Sequence, residues 1–132
     1  MGHSDLRVLI VDDNQSDRLL CKALVSNLGV TQIQGAENGS IAETKMVAAV
    51  DVGQAYDLVI LDWNMPRANG LKLLQYVRHN RRLKQTKIII MTATAERELV
   101  DEAIKHGADD FIVKPLKAEP LHEKIKKLFE KH

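Results

Sequence analysis

Five short apolar runs alternate with five amphipathic stretches along this chain, and that alternation leaves few folds open. The runs lie near 7–11, 32–36, 57–61, 87–91 and 110–113, and the helical patterns near 15–28, 39–50, 70–79, 95–106 and 118–130. Strands and helices alternating at this spacing predict an α/β fold with a parallel sheet and helices on both faces, because each parallel strand needs a crossover to return the chain. The first, third and fourth runs are almost continuously apolar, as strands buried on both faces are. The second, Gln32-Ile-Gln-Gly-Ala36, is weakly apolar and reads as an edge. Right-handed crossovers leave few topologies, and in the doubly wound order 2-1-3-4-5 a ligand crevice opens between the carboxyl ends of strands 1 and 3.

Helix punctuation agrees. Leu20, Ala23, Leu24 and Leu28 form an i, i+3, i+4, i+8 stripe, and Gly29 follows as a stop. Thr94 is placed to cap the fourth helix; Leu99, Ala103 and Ile104 give its inner face, and Gly107 ends it. Leu121, Ile125, Leu128 and Phe129 form the buried stripe of the last helix, leaving Lys124, Lys126, Lys127 and Lys131 as its solvated face.

The chemistry sits where the strands end. Asp12 and Asp13 close the first run, and Asp62 closes the third. Carboxylates that converge repel each other, and a hard divalent cation such as Mg²⁺, or Mn²⁺, relieves that repulsion and suits a phosphate. Thr92 follows the fourth run and Lys114 the fifth, so a hydroxyl and an ammonium reach the same rim. An aspartate can act as nucleophile and form an acyl phosphate, with metal and lysine neutralising the charge of the transferred group. Asp57, five residues before Asp62, belongs about 16 Å away at the opposite rim.

In this order and at these separations, the motifs Asp12-Asp13, Asp62-Trp-Asn-Met-Pro66, Asn69-Gly70, Met91-Thr-Ala93, Gly107-Ala108 and Lys114-Pro115 are highly specific. With them the chain resembles the receiver domains of bacterial two-component response regulators, of the single-domain CheY-like type, from about Arg7 onward. The resemblance implies the flavodoxin-like fold and a set of roles. Asp62 matches the phospho-acceptor. Asp13 matches a direct Mg²⁺ ligand, supported by Asp12, and Asn64 the residue whose backbone carbonyl joins the metal. Thr92 and Lys114 match the hydroxyl and cation that engage the phosphoryl group, and Phe111 an aromatic switch. A cis bond at Lys114-Pro115 is also implied. Phosphate would come from a histidine kinase or histidine phosphotransfer protein, facing helix 1 near Asp17, Arg18, Cys21 and Lys22. A downstream protein would meet the face of helix 4, strand 5 and helix 5. Asn64 and Thr94 would flank the path of the hydrolytic water. The chain departs from the family by a few extra residues between Gly39 and Asp62, assigned to 50–56, which bears on the end of the second helix.

Composition narrows the alternatives. The length of 132 residues fits one receiver domain over 1–132, with no output domain expected. A net charge of +1 gives no reason to expect nucleic acid. The apolar runs are too short to span a membrane and the N-terminus lacks a signal-peptide core. A single cysteine, Cys21, fits a reducing, cytoplasmic setting. The basic cluster from Arg78 to Lys84 reads as a solvated loop, no histidine pair has metal-ligand spacing, and a monomer is expected. Two other functions share the same residues. A metal-dependent phosphohydrolase with an aspartyl intermediate often has a second acid two residues after its nucleophile, where this chain has Asn64. A phosphorylation-independent adaptor would not need the acid, threonine and lysine set. A flavin protein is disfavoured, since Asp12-Asp13 replace a phosphate-cradling loop.

Overall fold

The computed structural model describes residues 3–65, 69–94 and 96–130. After a 3-10 turn at His3–Asp5 the elements are β1 (Arg7–Val11), α1 (Gln15–Ser26), β2 (Gln32–Ala36), α2 (Gly39–Asp51), β3 (Leu58–Asp62), α3 (Asn69–His79), β4 (Lys87–Thr92), α4 (Arg97–Lys105), β5 (Asp110–Val113) and α5 (Ala118–Phe129). The five strands form one parallel sheet in the order β2-β1-β3-β4-β5. Register sets the strand ends level: Val11 lies opposite Leu61, Asp62 opposite Met91, and Thr92 opposite Val113.

The period of two along each strand divides the core. Leu9, Val11, Val59, Leu61, Ile88 and Ile90 point to one face, under Met46 of α2, Leu73, Leu74 and Val77 of α3, and Ala103 of α4. Val8, Ile10, Leu58, Ile60, Ile89 and Met91 point to the other, under Cys21 and Val25 of α1 and Leu121 and Ile125 of α5. Each large apolar side chain buried this way contributes roughly 1.5–3 kcal/mol. Burial on both faces is why the central runs lack polar alternation. β2 has neighbours on one side only and is mostly exposed, as its composition predicted.

Several sequence expectations need correction. The face that α1 buries is Cys21 and Val25, flanked by Leu24 and Leu28. Leu20 is 45% exposed and Ala23 is also exposed, so the stripe is turned by one residue, roughly 100° of helix. Leu19 and Leu20 gave the helix two plausible apolar faces, and packing against α5 chose between them. Thr94 does not cap α4: the cap position is Glu96, without a side-chain bond, and the Thr94 hydroxyl accepts the Glu96 N–H at 3.2 Å. Ile104 is 44% exposed, while Ala103 takes the core position. Lys124 is not simply solvated; it pairs with Asp110 at 2.9 Å and stands 5.1 Å from the centre of the Phe111 ring. His122, half-buried, bonds the Leu24 carbonyl at 2.6 Å and links α5 to α1. Lys131 lies outside the described residues.

The basic cluster is also not one solvated loop. The Arg78 guanidinium donates to the carbonyls of Gly107 (2.8 Å), Lys84 (3.0 Å) and Thr86 (2.7 Å), and to Asp109 at 2.8 Å. It fastens the end of α3 to the loops entering β4 and β5. Gly107, at φ +108°, ends α4 beneath it, and a Cβ there would come within 2.8 Å of Arg78 Cγ. Asp57 stands at this same lower rim and accepts the Arg7 N–H at 2.9 Å. The segment 50–56 ends α2 at Asp51 and turns through Gly53. No helix among the described residues is long and apolar enough to cross a membrane.

Candidate functional site

β1 and β3 deliver carboxylates to the upper rim because the chain places each acid immediately after, or as the last residue of, a buried run. Asp12 is 0% exposed, and its N–H donates to the Ala36 carbonyl at 3.1 Å, which fixes it at the mouth of the sheet. Asp12 Oδ1 accepts the Asn14 N–H at 2.9 Å, its carbonyl accepts Arg18 Nη1 at 2.8 Å, and its Oδ2 accepts the Lys114 ammonium at 2.9 Å. Asp62 ends β3 and is 3% exposed; its Oδ1 accepts the Asn64 N–H at 3.0 Å. Asp13 is exposed, and one oxygen from each of Asp12, Asp13 and Asp62 lies within 4.8 Å of the others.

Burial pushes the Asp62 carboxyl up to about 6, and the charge of Asp12 adds to this; the Asn64 N–H and the Lys114 ammonium oppose it. A bound cation would add to the relief that Lys114 gives, offsetting both burial and the Asp12 charge. Three carboxylates, all oxygen donors, with one of them open to solvent, fit a hard ion such as Mg²⁺ that keeps some of its water.

Lys114 follows β5 and reaches across the rim. Its Nζ lies 2.9 Å from Asp12, 3.0 Å from Asp17 and 3.5 Å from Asp62. Burial works to lower its pKa, but the bonds to Asp12 and Asp17 and the charge of Asp62 outweigh burial and hold the ammonium firmly protonated. The Lys114–Pro115 bond is cis. Asp17 is the residue that sequence reasoning missed as part of this group. Its place in the first turn after Asn14 was the available signal, since a carboxylate there projects beside the end of β1.

Thr92 is 1% exposed and ends β4. Its hydroxyl donates to the Thr94 carbonyl at 2.9 Å and accepts the Thr94 N–H at 3.3 Å, so it is engaged with its own loop. Asn64 reaches the same loop, its Oδ1 accepting the Ala93 N–H at 2.8 Å. The loops after β3 and β4 are therefore joined by side chains adjacent to Asp62. Trp63 is half-buried against the core beside Asp62. A Cβ on Gly70 would come 3.1 Å from the Trp63 ring and 3.2 Å from the Asp62 carbonyl, so glycine lets α3 start close against the acid. Phe111 is half-buried on β5, with the Lys124 ammonium over its ring. Pro66 lies outside the described residues, as does the side chain of Asn69. A cavity of about 580 Å³ among Arg7, Gln34, Lys45 and Tyr56 shares no residue with the acid cluster.

The comparisons with known proteins agree with one another. The sequence model of the response regulator receiver domain matches residues 8–126. The chemotaxis protein CheY of Pseudomonas aeruginosa is 36% identical, over 96% of this chain and 98% of its own length. The chemotaxis protein CheY-3 of Vibrio cholerae is 37% identical, over 98% and 95% respectively. Among solved structures, Vibrio cholerae CheY4 superposes with a TM-score of 0.82 at 29% identity, covering 92% of this chain and 97% of that one. A chain of the CheX–CheY–BeF3–Mg²⁺ complex of Borrelia burgdorferi gives 0.84 at 28% identity, covering 96% and 90%.

Proposed function

The chain belongs to the response regulator receiver domain family, of CheY type, and on that premise we propose that it is a switch turned on when Asp62 accepts a phosphoryl group. The observation that carries this reading is the convergence of Asp12, Asp13, Asp62 and Lys114 on the rim between β1 and β3. Receivers of this type are signalling switches, not enzymes acting on a separate metabolite.

A histidine kinase or histidine phosphotransfer protein presents phosphohistidine to the rim. An Asp62 carboxylate oxygen attacks phosphorus; the O–P bond forms as the P–N bond breaks, and the departing imidazole keeps the electron pair and takes a proton. Mg²⁺ or Mn²⁺ held by Asp12, Asp13, Asp62 and the Asn64 backbone carbonyl would supply charge neutralisation during transfer. Lys114 is the protein's own cation at the site and pairs with the phosphoryl oxygens. Thr92 then leaves the Thr94 carbonyl to bond the phosphoryl group, the loop after β4 follows, and Phe111 turns inward. The two packings form an equilibrium that the phosphoryl contacts bias. Water ends the state by attacking the acyl phosphate past Asn64 and Thr94.

The face of α4, β5 and α5 is the surface offered to a downstream protein. It includes a cleft of about 350 Å³ among Phe111, Val113, Lys117, Pro120 and Lys124. The donor meets α1 through Asp17, Arg18 and Lys22. Cys21 does not take part in that surface, because it is 0% exposed. A cytoplasmic location follows from such donors. Borrelia CheY is seen with CheX, BeF3 and Mg²⁺, and the cluster of acids here supports the same ion.

Intact mass after incubation with acetyl phosphate tests the reading. The wild type gains one Mg²⁺-dependent phosphoryl adduct and Asp62→Asn gains none. A folded wild type that forms no adduct with acetyl phosphate, and none with a phosphohistidine donor, overturns it in favour of the adaptor.

A further inference from the structure

Lys114 is shared among three acids, and the sharing is uneven. An ammonium has three N–H donors. Two are spent at full hydrogen-bond strength, on Asp12 at 2.9 Å and Asp17 at 3.0 Å, while Asp62 stands at 3.5 Å. Asp17 is also held in place. Its N–H donates to Asn14 Oδ1 at 2.9 Å, and the Asn14 N–H donates to Asp12 Oδ1 at 2.9 Å, so the first turn of α1 is built upon the Asp12 carboxylate. Arg18, the next residue, donates to the Asp12 carbonyl at 2.8 Å and pins the same turn. The backbone of that turn therefore sets the Asp17 carboxylate on the α1 side of Lys114.

We propose that Asp17 is a positioning residue that holds the Lys114 ammonium back from Asp62 in the unphosphorylated protein and so slows phosphorylation. The inference rests on the reading of Asp62 as acceptor. A phosphoryl group on Asp62 brings charge and acceptor oxygens that compete for Lys114. Asp12 is buried and central to the acid cluster, whereas the Asp17 side chain is 43% exposed, so Asp17 is the partner that water replaces most easily. The lysine leaves Asp17 as the phosphoryl group arrives, and that separation adds to the barrier.

Asp17→Asn keeps the size and loses the charge. Its rate of adduct formation is expected to rise about 3-fold to 10-fold, the scale of one part-buried ion pair. The affinity for BeF3 with Mg²⁺, read from Trp63 fluorescence, is expected to tighten by a similar factor. Asp17→Glu restores the slower rate. Two donors separate the tether from simple repulsion of an anion: acetyl phosphate, and phosphoramidate, which is less negative at neutral pH. A tether predicts the same acceleration with both. Acceleration confined to acetyl phosphate, or a rate and BeF3 affinity unchanged or reduced in a variant with a wild-type urea midpoint, overturns the inference. A wild type without any adduct removes the acceptor reading itself, and the inference with it; a wild-type adduct without acceleration in Asp17→Asn removes the inference alone.

Discussion

Lys114 donates to Asp12 at 2.9 Å across 102 residues of sequence, joining the carboxyl ends of β5 and β1 over the two strands that lie between them. The bond gives a buried carboxylate its counter-charge and places a cation beside Asp62 at once. One side chain thus serves both the buried charge of Asp12 and the surroundings of Asp62.

Removing that side chain leaves the Asp12 charge buried without its cation. Lys114→Met is expected to cost about 3 kcal/mol of unfolding free energy, the usual scale for breaking one partner of a buried pair. Urea denaturation at neutral pH measures it, and added Mg²⁺ is expected to recover part of the loss by occupying the same acids. An unchanged midpoint would mean that water takes the place of the ammonium at Asp12.

Arg78 is expected to matter as much, far from the acids. Its guanidinium satisfies the carbonyls of Gly107, Lys84 and Thr86 and pairs with Asp109. Arg78→Met keeps most of the apolar stem but leaves these acceptors without their donors, at about 2–4 kcal/mol. Phosphorylation of the folded variant is expected to stay near wild type, because Arg78 sits at the opposite rim. A loss under 0.5 kcal/mol, by the scale of ordinary surface substitutions, would assign Arg78 to the surface after all.

Cys21 gives a pH dependence at the alkaline end. Burial, reinforced by the Asp12 charge, pushes its thiol up to about 12, with Lys114 acting weakly against this. Below about pH 9 the thiol is neutral in folded and unfolded chains alike and contributes no pH dependence. Above that, the unfolded thiol ionises while the folded one keeps its proton, so stability falls between about pH 9 and 12. Cys21→Ser or Cys21→Ala should lose that slope. At pH 8 a disulfide reagent is expected to label Cys21 only as fast as the protein opens. Rapid labelling of the folded chain would show that the thiol reaches solvent.

The strands, their order and the rim that collects Asp12, Asp13, Asp62, Thr92 and Lys114 were legible in the sequence. A run such as Leu58-Val-Ile-Leu-Asp62 can be buried on two faces only as an interior strand, and its acid then has one rim to occupy. Glycine positions after α1 and α4 were legible for a similarly local reason, because Gly29 and Gly107 both adopt positive φ. What the tertiary structure decided depends on contacts between distant segments. Leu19 and Leu20 let α1 present either of two apolar faces, and the fit of Cys21 and Val25 against the sheet and α5 settled the rotation. Arg78 and Lys124 looked like surface charge because nothing local marks their partners, Asp109 and Asp110, which the β5 turn brings in from elsewhere. Asp17 entered the site the same way. Periodicity reports which side of an element meets the core; where a flexible ammonium settles among three acids is fixed by distances that exist only once the sheet has formed.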